Sequence, residues 1–369
     1  MKITDIKCYL VEEKDRAPKF NWRNGIPGGF SDGTPDGLTP RVAYVRVDTE
    51  AGIVGALRQN RGDAVASVVQ RRLKSLIGQD ILMTEKLWSL VWEIDRIEEF
   101  QINQFGILDI IAWDIKSKAA GLPLYQLLGG YDTRVPAYAS TATWGSYDEY
   151  ERHIKTCMEL GFTAFKLHAW GDPKEDAELC RRLRKWAGDD AVLTYDGSGA
   201  WGFEDSLKFG RILESLDFYW YEEPMREFDL YSYKKLCDAL DIAVLAAETS
   251  DGSHWNAATW IQMGALDMVR ASSFLKGGIT GAIKIAHLAE SHGMKAQVHG
   301  VGQAEAQLAA AISNNDYYEQ IVYSKEQIEG LATQADVPIV DGFVQVSEAP
   351  GLGPEPDWGW LEKNAVAVV

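Results

Sequence analysis

A Lys and a His stand two positions apart in the run FKLHAW, residues 165–170. In a β-strand, residues i and i+2 project to the same face, so Lys166 and His168 would reach into one place. Their nitrogens suit a proton-transfer pair or a plain cationic patch, and what else faces that place decides. Asp196, Glu222 and Glu248 follow at steps of 26 residues, in the runs VLTYDG, YWYEEP and AVLAAET. Three carboxylates at the ends of successive strands would stand at one height. In a partly dry site they cannot all stay ionised without a counter-charge. Neighbouring Lys or Arg residues could neutralise each acid separately. For three acids together, facing Lys and His, the expected answer is a hard divalent cation with oxygen ligands, most simply Mg²⁺. His299 ends the run KAQVHG, and Glu319 begins EQIVY.

The elements that must position these groups are regular. Runs rich in β-branched and aromatic residues occur at 134–140, 164–169, 192–197, 219–224, 243–249, 267–272, 295–300 and 319–323. Amphipathic segments such as DEYERHIKTCMELG and EDAELCRRLRKWAG lie between them. Eight strands alternating with helices predict a (β/α)₈ barrel over 126–335, whose chemistry belongs at the C-terminal ends of the strands. Residues 1–125 read as two or three strands followed by helices, a small α+β domain. The segment 336–369 resumes strand and turn character and is expected to return to that domain. Residues 13–38 form a long polar loop carrying Lys14, Arg16, Lys19, Asn21, Trp22, Arg23 and Asn24. Loops of this length are commonly lids or binding elements.

Composition narrows the function class. With 46% hydrophobic and 25% charged residues the chain reads as an ordinary soluble globular protein. A net charge of −17 argues against nucleic acid or an anionic membrane as partner. The scattered cysteines Cys8, Cys157, Cys180 and Cys237 read as reduced thiols of a cytoplasmic protein. The N-terminus lacks the apolar core of a signal peptide. GVGQAE, at 300–305, mimics part of a dinucleotide-binding turn but lacks the full pattern and its Rossmann context. His153, His254, His287 and His292 fall in helix or loop segments and read as surface or packing residues.

The runs TYDGSGAW, YWYEEPM, LAAET, GGITGAIKIAHLAESHG and VHGVGQAEAQLAAAISN, with GILDIIAWDIKSKAAGLPLYQLLGG and PGLGPEPD, resemble the mandelate racemase subgroup of the enolase superfamily. The resemblance spans essentially the whole chain. It implies an α+β capping domain with its loops over the substrate, a homo-oligomer, and Mg²⁺ on Asp196, Glu222 and Glu248. The metal then holds a substrate carboxylate while a base removes the α-proton through an enediolate. Lys166, His168, His299 and Glu319 would be catalytic, Glu319 as a protonated acid donating to the substrate carboxylate. Lys19, Trp22, Arg23, Arg270 and Ser272 are candidate substrate contacts.

Two positions depart from the family pattern. The second-strand motif is commonly Lys-x-Lys, and here its second member is His168, a competent base near pH 7 when neutral. The seventh-strand His normally pairs with an Asp five residues before Gly277-Gly278, where this chain has Ser272. By strand alternation Glu223 points away from Glu222 and reads as structural. The function expected is dehydration of an acid sugar, an aldonate or aldarate, to a 2-keto-3-deoxy acid. A racemase or epimerase is the alternative, and a non-catalytic metal-binding barrel the third reading.

Overall fold

The computed structural model describes residues 1–13, 19–21, 27–30, 38–98 and 102–369, the side chains of 19–21, 27–30, 92, 95, 97, 98 and 102–105 excepted. Lys14, Arg16, Trp22, Arg23 and Asn24 lie outside the described residues; Lys19 and Asn21 are described as backbone only. The chain divides into two compact units. One comprises Met1–Leu128, Gly277–Thr280 and Ser347–Val369, the other Gly129–Lys276 and Gly281–Val346.

The larger unit holds eight strands: Ala137–Thr141, Ala164–His168, Val192–Asp196, Phe218–Glu222, Ala243–Ala246, Met268–Ala271, Lys295–Val298 and Tyr318–Val322. They are called here the first to eighth barrel strands. All pair in parallel, the first through seventh in chain order and the eighth beside the first. Side chains link the seventh strand to the approach of the eighth. Gln297 Nε2 donates to Asp316 Oδ2 at 2.6 Å, and the Val298 amide donates to Asn315 Oδ1 at 2.9 Å. This curled parallel sheet with intervening helices is the barrel architecture expected from the alternating runs.

Alternation within each strand separates a packed floor from a charged layer. Tyr138, Ala164, Trp220, Leu245 and Met268 form one buried cluster, with the Tyr138 and Trp220 rings edge to face at 5.6 Å. Two residues further along, on the same faces, stand Lys166, Glu222 and Arg270. The floor excludes water from beneath the ionisable groups, which raises the strength of every interaction among them. The outer helices are set by local chemistry. Ser146 Oγ accepts from the Glu149 amide at the start of Tyr147–Glu159. Asp172 accepts from the Lys174 and Glu175 amides ahead of Pro173–Ala187, with Pro173 in the first turn.

In the smaller unit, Ile3–Glu12, Arg41–Thr49 and Val54–Gln59 form an antiparallel sheet, and Ala367–Val368 adds to its edge opposite Tyr9 and Leu10. Leu361 packs with Tyr9, Val11 and Val42, so the C-terminal helix Trp358–Asn364 closes this core. Gly277–Thr280 also clusters here, where Thr280 donates to Asp109 through its amide and hydroxyl. No described helix is long and apolar enough to cross a membrane.

Candidate active site

Lys166 and His168 do share a face, and both reach the same oxygen, Asp196 Oδ2, at 3.4 and 3.0 Å. Yet their environments differ. Lys166 is 1% exposed and caged by three carboxylates, with Glu222 Oε2 at 3.0 Å and Glu319 Oε1 at 2.9 Å besides Asp196. Burial opposes its charge, but Glu222 and Glu319 overcome that and hold the ammonium well above its ordinary value. It is a fixed cation here. The His168 side chain is 29% exposed. Its Nδ1 lies 2.8 Å from the Thr141 carbonyl and its Nε2 faces Asp196, so both ring nitrogens meet acceptors. Burial works against the imidazolium, and Asp196 outweighs it, raising the pKa. The backbone around the ring is braced too: the His168 amide donates to Thr141 Oγ1 at 3.0 Å, and Tyr150 OH donates to the His168 carbonyl at 2.5 Å.

The acids do not stand at one height, contrary to the spacing-based expectation. His168, Asp196 and Glu222 are in register across three strands, but Glu222 pairs with Leu245, three residues before Glu248. The fifth strand ends at Ala246, and Ala247 turns through φ +67°, sending Glu248 back from a loop. Glu223, which lies just past the end of the fourth strand with φ +39°, fixes this turn. Its carboxylate accepts from the Glu248 amide at 3.1 Å and from Thr249 Oγ1 at 3.4 Å. The result brings ligand atoms of Glu222, Glu248 and His299 within 4.8 Å of one another.

Arg270 is fully enclosed rather than presented to the mouth. Its Nε and Nη2 grip Glu222 Oε1 and Oε2 at 2.5 and 2.6 Å, and it also donates to the Val298 carbonyl and Tyr138 OH. Ser272 is likewise buried, its hydroxyl accepting from the Leu275 amide at 3.3 Å. Both side chains touch protein groups here. Burial would raise the Glu222 pKa, but Arg270 and Lys166 bring it below the ordinary value. Asp196 is lowered the same way: burial opposes the shift, and His168 and Lys166 impose it.

Glu319 pairs with Tyr138 near the start of its strand, so it lies deep beneath the mouth and is 1% exposed. Burial favours its neutral form, but Lys166 and His299 hold it well below the carboxylate range. A protonated donor was expected at this position; the chain's own cations make it a carboxylate instead. His299 Nδ1 stands 3.0 Å from Glu319 Oε2 and 3.3 Å from Glu248 Oε2. These are ion-pair distances whose directions fall short of a hydrogen bond. Burial lowers the imidazole pKa, and Glu248 with Glu319 reverses that, to about 9.

A dication fits this donor set. Asp196, Glu222, Glu248 and Glu319 bring four negative charges against the two permanent cations Lys166 and Arg270. One negative charge remains with His299 as the imidazolium and His168 neutral, and the substrate carboxylate adds a second. Glu248 offers a donor atom to such an ion: Oε2 is buried without a hydrogen-bond partner, 3.3 Å from His299 Nδ1, and burial pushes its carboxyl to about 7. The pairing with neighbouring cations weighed from the sequence is therefore also present, at Asp196 and Glu222. The sequence reading passed over Thr141, Tyr138 and Glu305. The first two sit in an unremarkable strand. Glu305 did leave a signal, an acid in the otherwise uncharged helix QAEAQLAAA.

The chain matches two family models, "Enolase C-terminal domain-like" over residues 149–360 and "Mandelate racemase / muconate lactonizing enzyme, N-terminal domain" over 30–129. Among solved structures, D-glucarate dehydratase from Agrobacterium tumefaciens complexed with magnesium is 31% identical, with a TM-score of 0.88 and 100% of each chain covered. Arabinonate dehydratase of Saccharolobus solfataricus is 26% identical over 85% of this chain and 87% of that protein. L-Ala-D/L-Glu epimerase of Clostridium acetobutylicum is 26% identical over 86% and 88%. These relatives are enzymes, dehydratases and epimerases alike. The fold, the charged barrel mouth and the two matched models together make this chain a member of the mandelate racemase / muconate lactonizing enzyme family of the enolase superfamily.

Proposed function

We propose that the protein is a Mg²⁺-dependent acid-sugar dehydratase, converting an aldonate or aldarate to a 2-keto-3-deoxy acid. The observation that carries this reading is the split between Lys166, enclosed and caged by carboxylates, and two imidazoles that stay partly open. Lys166 cannot take a proton where it stands. His168 and His299, with 29% and 24% of their side chains exposed, can meet a substrate.

A divalent cation on Asp196, Glu222 and Glu248 would hold the substrate carboxylate and stabilise the enediolate charge that develops as the α-proton leaves. His168 is the base. Its charge depends on Asp196 at Nε2, so engaging that carboxylate elsewhere leaves a neutral ring. Its Nδ1–H then stays on the Thr141 carbonyl, with the Nε2 lone pair open to accept the α-proton. His299 begins as the imidazolium and gives its proton to the departing β-hydroxyl, which leaves as water. The enol that remains tautomerises to the keto acid. Lys166 keeps its charge throughout, offsetting Glu319 and Glu222. The glucarate dehydratase similar over the whole chain at 31% identity supports the lyase reading.

The test is a panel of aldonates and aldarates with Mg²⁺, followed for keto-acid formation, with parallel samples in D₂O. Keto acid from the wild type that is lost in His168→Ala supports dehydration. Deuterium entering an otherwise unchanged acid would replace it with epimerisation. Bound Mg²⁺ without either outcome would leave a barrel that has ceased this chemistry.

A further inference from the structure

We propose that Lys276 is a positioning residue for the divalent cation, holding the loop that returns Glu248 to the barrel mouth. The third carboxylate then stands in place before the ion arrives. This inference rests on the reading above, in which Glu248 is a ligand of Mg²⁺.

Lys276 lies between the end of the sixth strand and the helix Gly278–Ser291, and it is 2% exposed. A lysine is seldom buried this deeply unless its amine is engaged, and an apolar side chain of similar length would cost less there. Its Nζ donates to the Ser250 carbonyl, two residues beyond Glu248. An amine donates in either protonation state, so this tie does not depend on charge. The backbone of Lys276 adds a second tie. Its carbonyl accepts from Ser253 Oγ at 2.9 Å, while its amide donates to the Ser272 carbonyl at 3.2 Å. Ser250 and Ser253 are themselves buried. Gly281 closes the far side: a Cβ there would stand 1.7 Å from the Lys276 carbonyl oxygen and 2.9 Å from Ser253 Oγ.

The segment tied in this way has little support of its own. The fifth strand stops at Ala246, so Glu248 lies beyond its ladder, whereas Asp196 and Glu222 are the last residues of regular strands. The loop enters through Ala247 at φ +67° and leaves through Gly252 at φ +90° and Ser253 at φ +49°. Left-handed backbone at Ala and Ser is disfavoured and persists only where the surroundings fix it. Glu223 secures the entrance through the Glu248 amide and the Thr249 hydroxyl, and Ser250 Oγ donates back to the Ala247 carbonyl at 3.3 Å. Lys276 secures the middle and the exit. Glu248 is therefore braced from both sides by contacts that involve none of its own carboxylate oxygens. Without the Lys276 ties, the ion would have to order this loop as it binds, and that cost would appear as lost affinity.

Lys276→Met keeps the length of the side chain and removes the donor. In the full chain, calorimetric titration with Mg²⁺ should show a Kd raised about 10- to 100-fold. Ser253→Ala, which cuts the second tie, should raise the Kd in the same direction by a smaller factor. In the metal-free chain, amide hydrogen exchange over residues 248–253 should quicken in Lys276→Met, with the barrel strands unchanged. A lysine that only filled space would shift the unfolding midpoint and leave the Kd as it was. An unchanged Kd in folded Lys276→Met overturns the proposal; where that variant does not fold, an unchanged Kd in Ser253→Ala does so. A wild type that binds Mg²⁺ but turns over no acid sugar defeats the proposed reaction alone, and the Kd still decides for Lys276. A wild type that binds no Mg²⁺ defeats the metal reading and this inference together.

Discussion

Both units of the chain bury carboxylates, and they keep them in different states. In the smaller unit Asp109 is 2% exposed and is met by neutral donors, the Thr280 amide at 2.9 Å and hydroxyl at 2.6 Å. Burial pushes it up to about 7. In the barrel Asp196, Glu222 and Glu319 are as deeply enclosed, yet all three stay below the carboxylate range because Lys166, Arg270, His168 and His299 stand against them. Neutral donors satisfy lone pairs without holding the charge; two or more cations hold it, where the single Lys118 beside buried Asp114 in the smaller unit does not. Within the barrel the same rule picks out the exceptions. Glu248 and Glu305 rise to about 7, each with one oxygen without a hydrogen-bond partner, and Glu223, met only by the Glu248 amide and the Thr249 hydroxyl, rises to about 8.

Removing one partner of the paired set gives the largest effect expected. Glu222→Gln leaves Arg270 fully buried without its carboxylate, and urea unfolding should show a loss of about 3–5 kcal/mol, together with abolished turnover. A loss below about 1 kcal/mol would mean that water or Glu248 reaches the guanidinium, and the contrast between the units would weaken. His168→Asn sharpens the comparison from the functional side. Turnover should fall by about 10²- to 10⁴-fold while stability changes by less than about 1 kcal/mol, because the ring is partly open.

Asp109 tests the other half. Its folded pKa, about 7, lies above the unfolded value of 3.8, so between those limits the folded protein holds a proton that the unfolded chain has released. Stability should therefore fall as pH rises from about 4 to about 7, by up to about 4 kcal/mol, and level off on either side. Asp109→Asn should flatten that slope in urea titrations at pH 5 and pH 8; an unchanged slope would assign it to another group. The smallest change is expected at an exposed carboxylate that also meets only neutral donors. Asp172→Ala removes the cap of Pro173–Ala187 and should cost about 1 kcal/mol by thermal unfolding, with turnover intact.

The positions of the charged residues along each strand were legible because a strand's period of two leaves a clear trace. Ala164, Lys166 and His168 must share a face whatever surrounds them. Distances across the barrel leave no such trace. Equal steps of 26 residues placed Glu248 level with Asp196 and Glu222, but the turn at Ala247 returns it from a loop. The family resemblance assigned Glu319 to the substrate carboxylate, while its pairing with Tyr138 sets it deep under Lys166. Of the candidate contacts in the 13–38 loop, Trp22 and Arg23 lie outside the described residues and Lys19 is described only as backbone.

The sequence by itself determined the eight strands, the helices between them and the kinds of ionisable group each strand end offers, since local periodicity and residue type suffice for these. The tertiary structure alone decided which cation meets which carboxylate. Arg270 grips Glu222, Lys166 joins three strands, and Glu305 reaches the sixth strand from a later helix. Those partners are tens of residues apart in the chain, and ionisation depends on separations of a few ångströms that only the closed packing of the strands fixes.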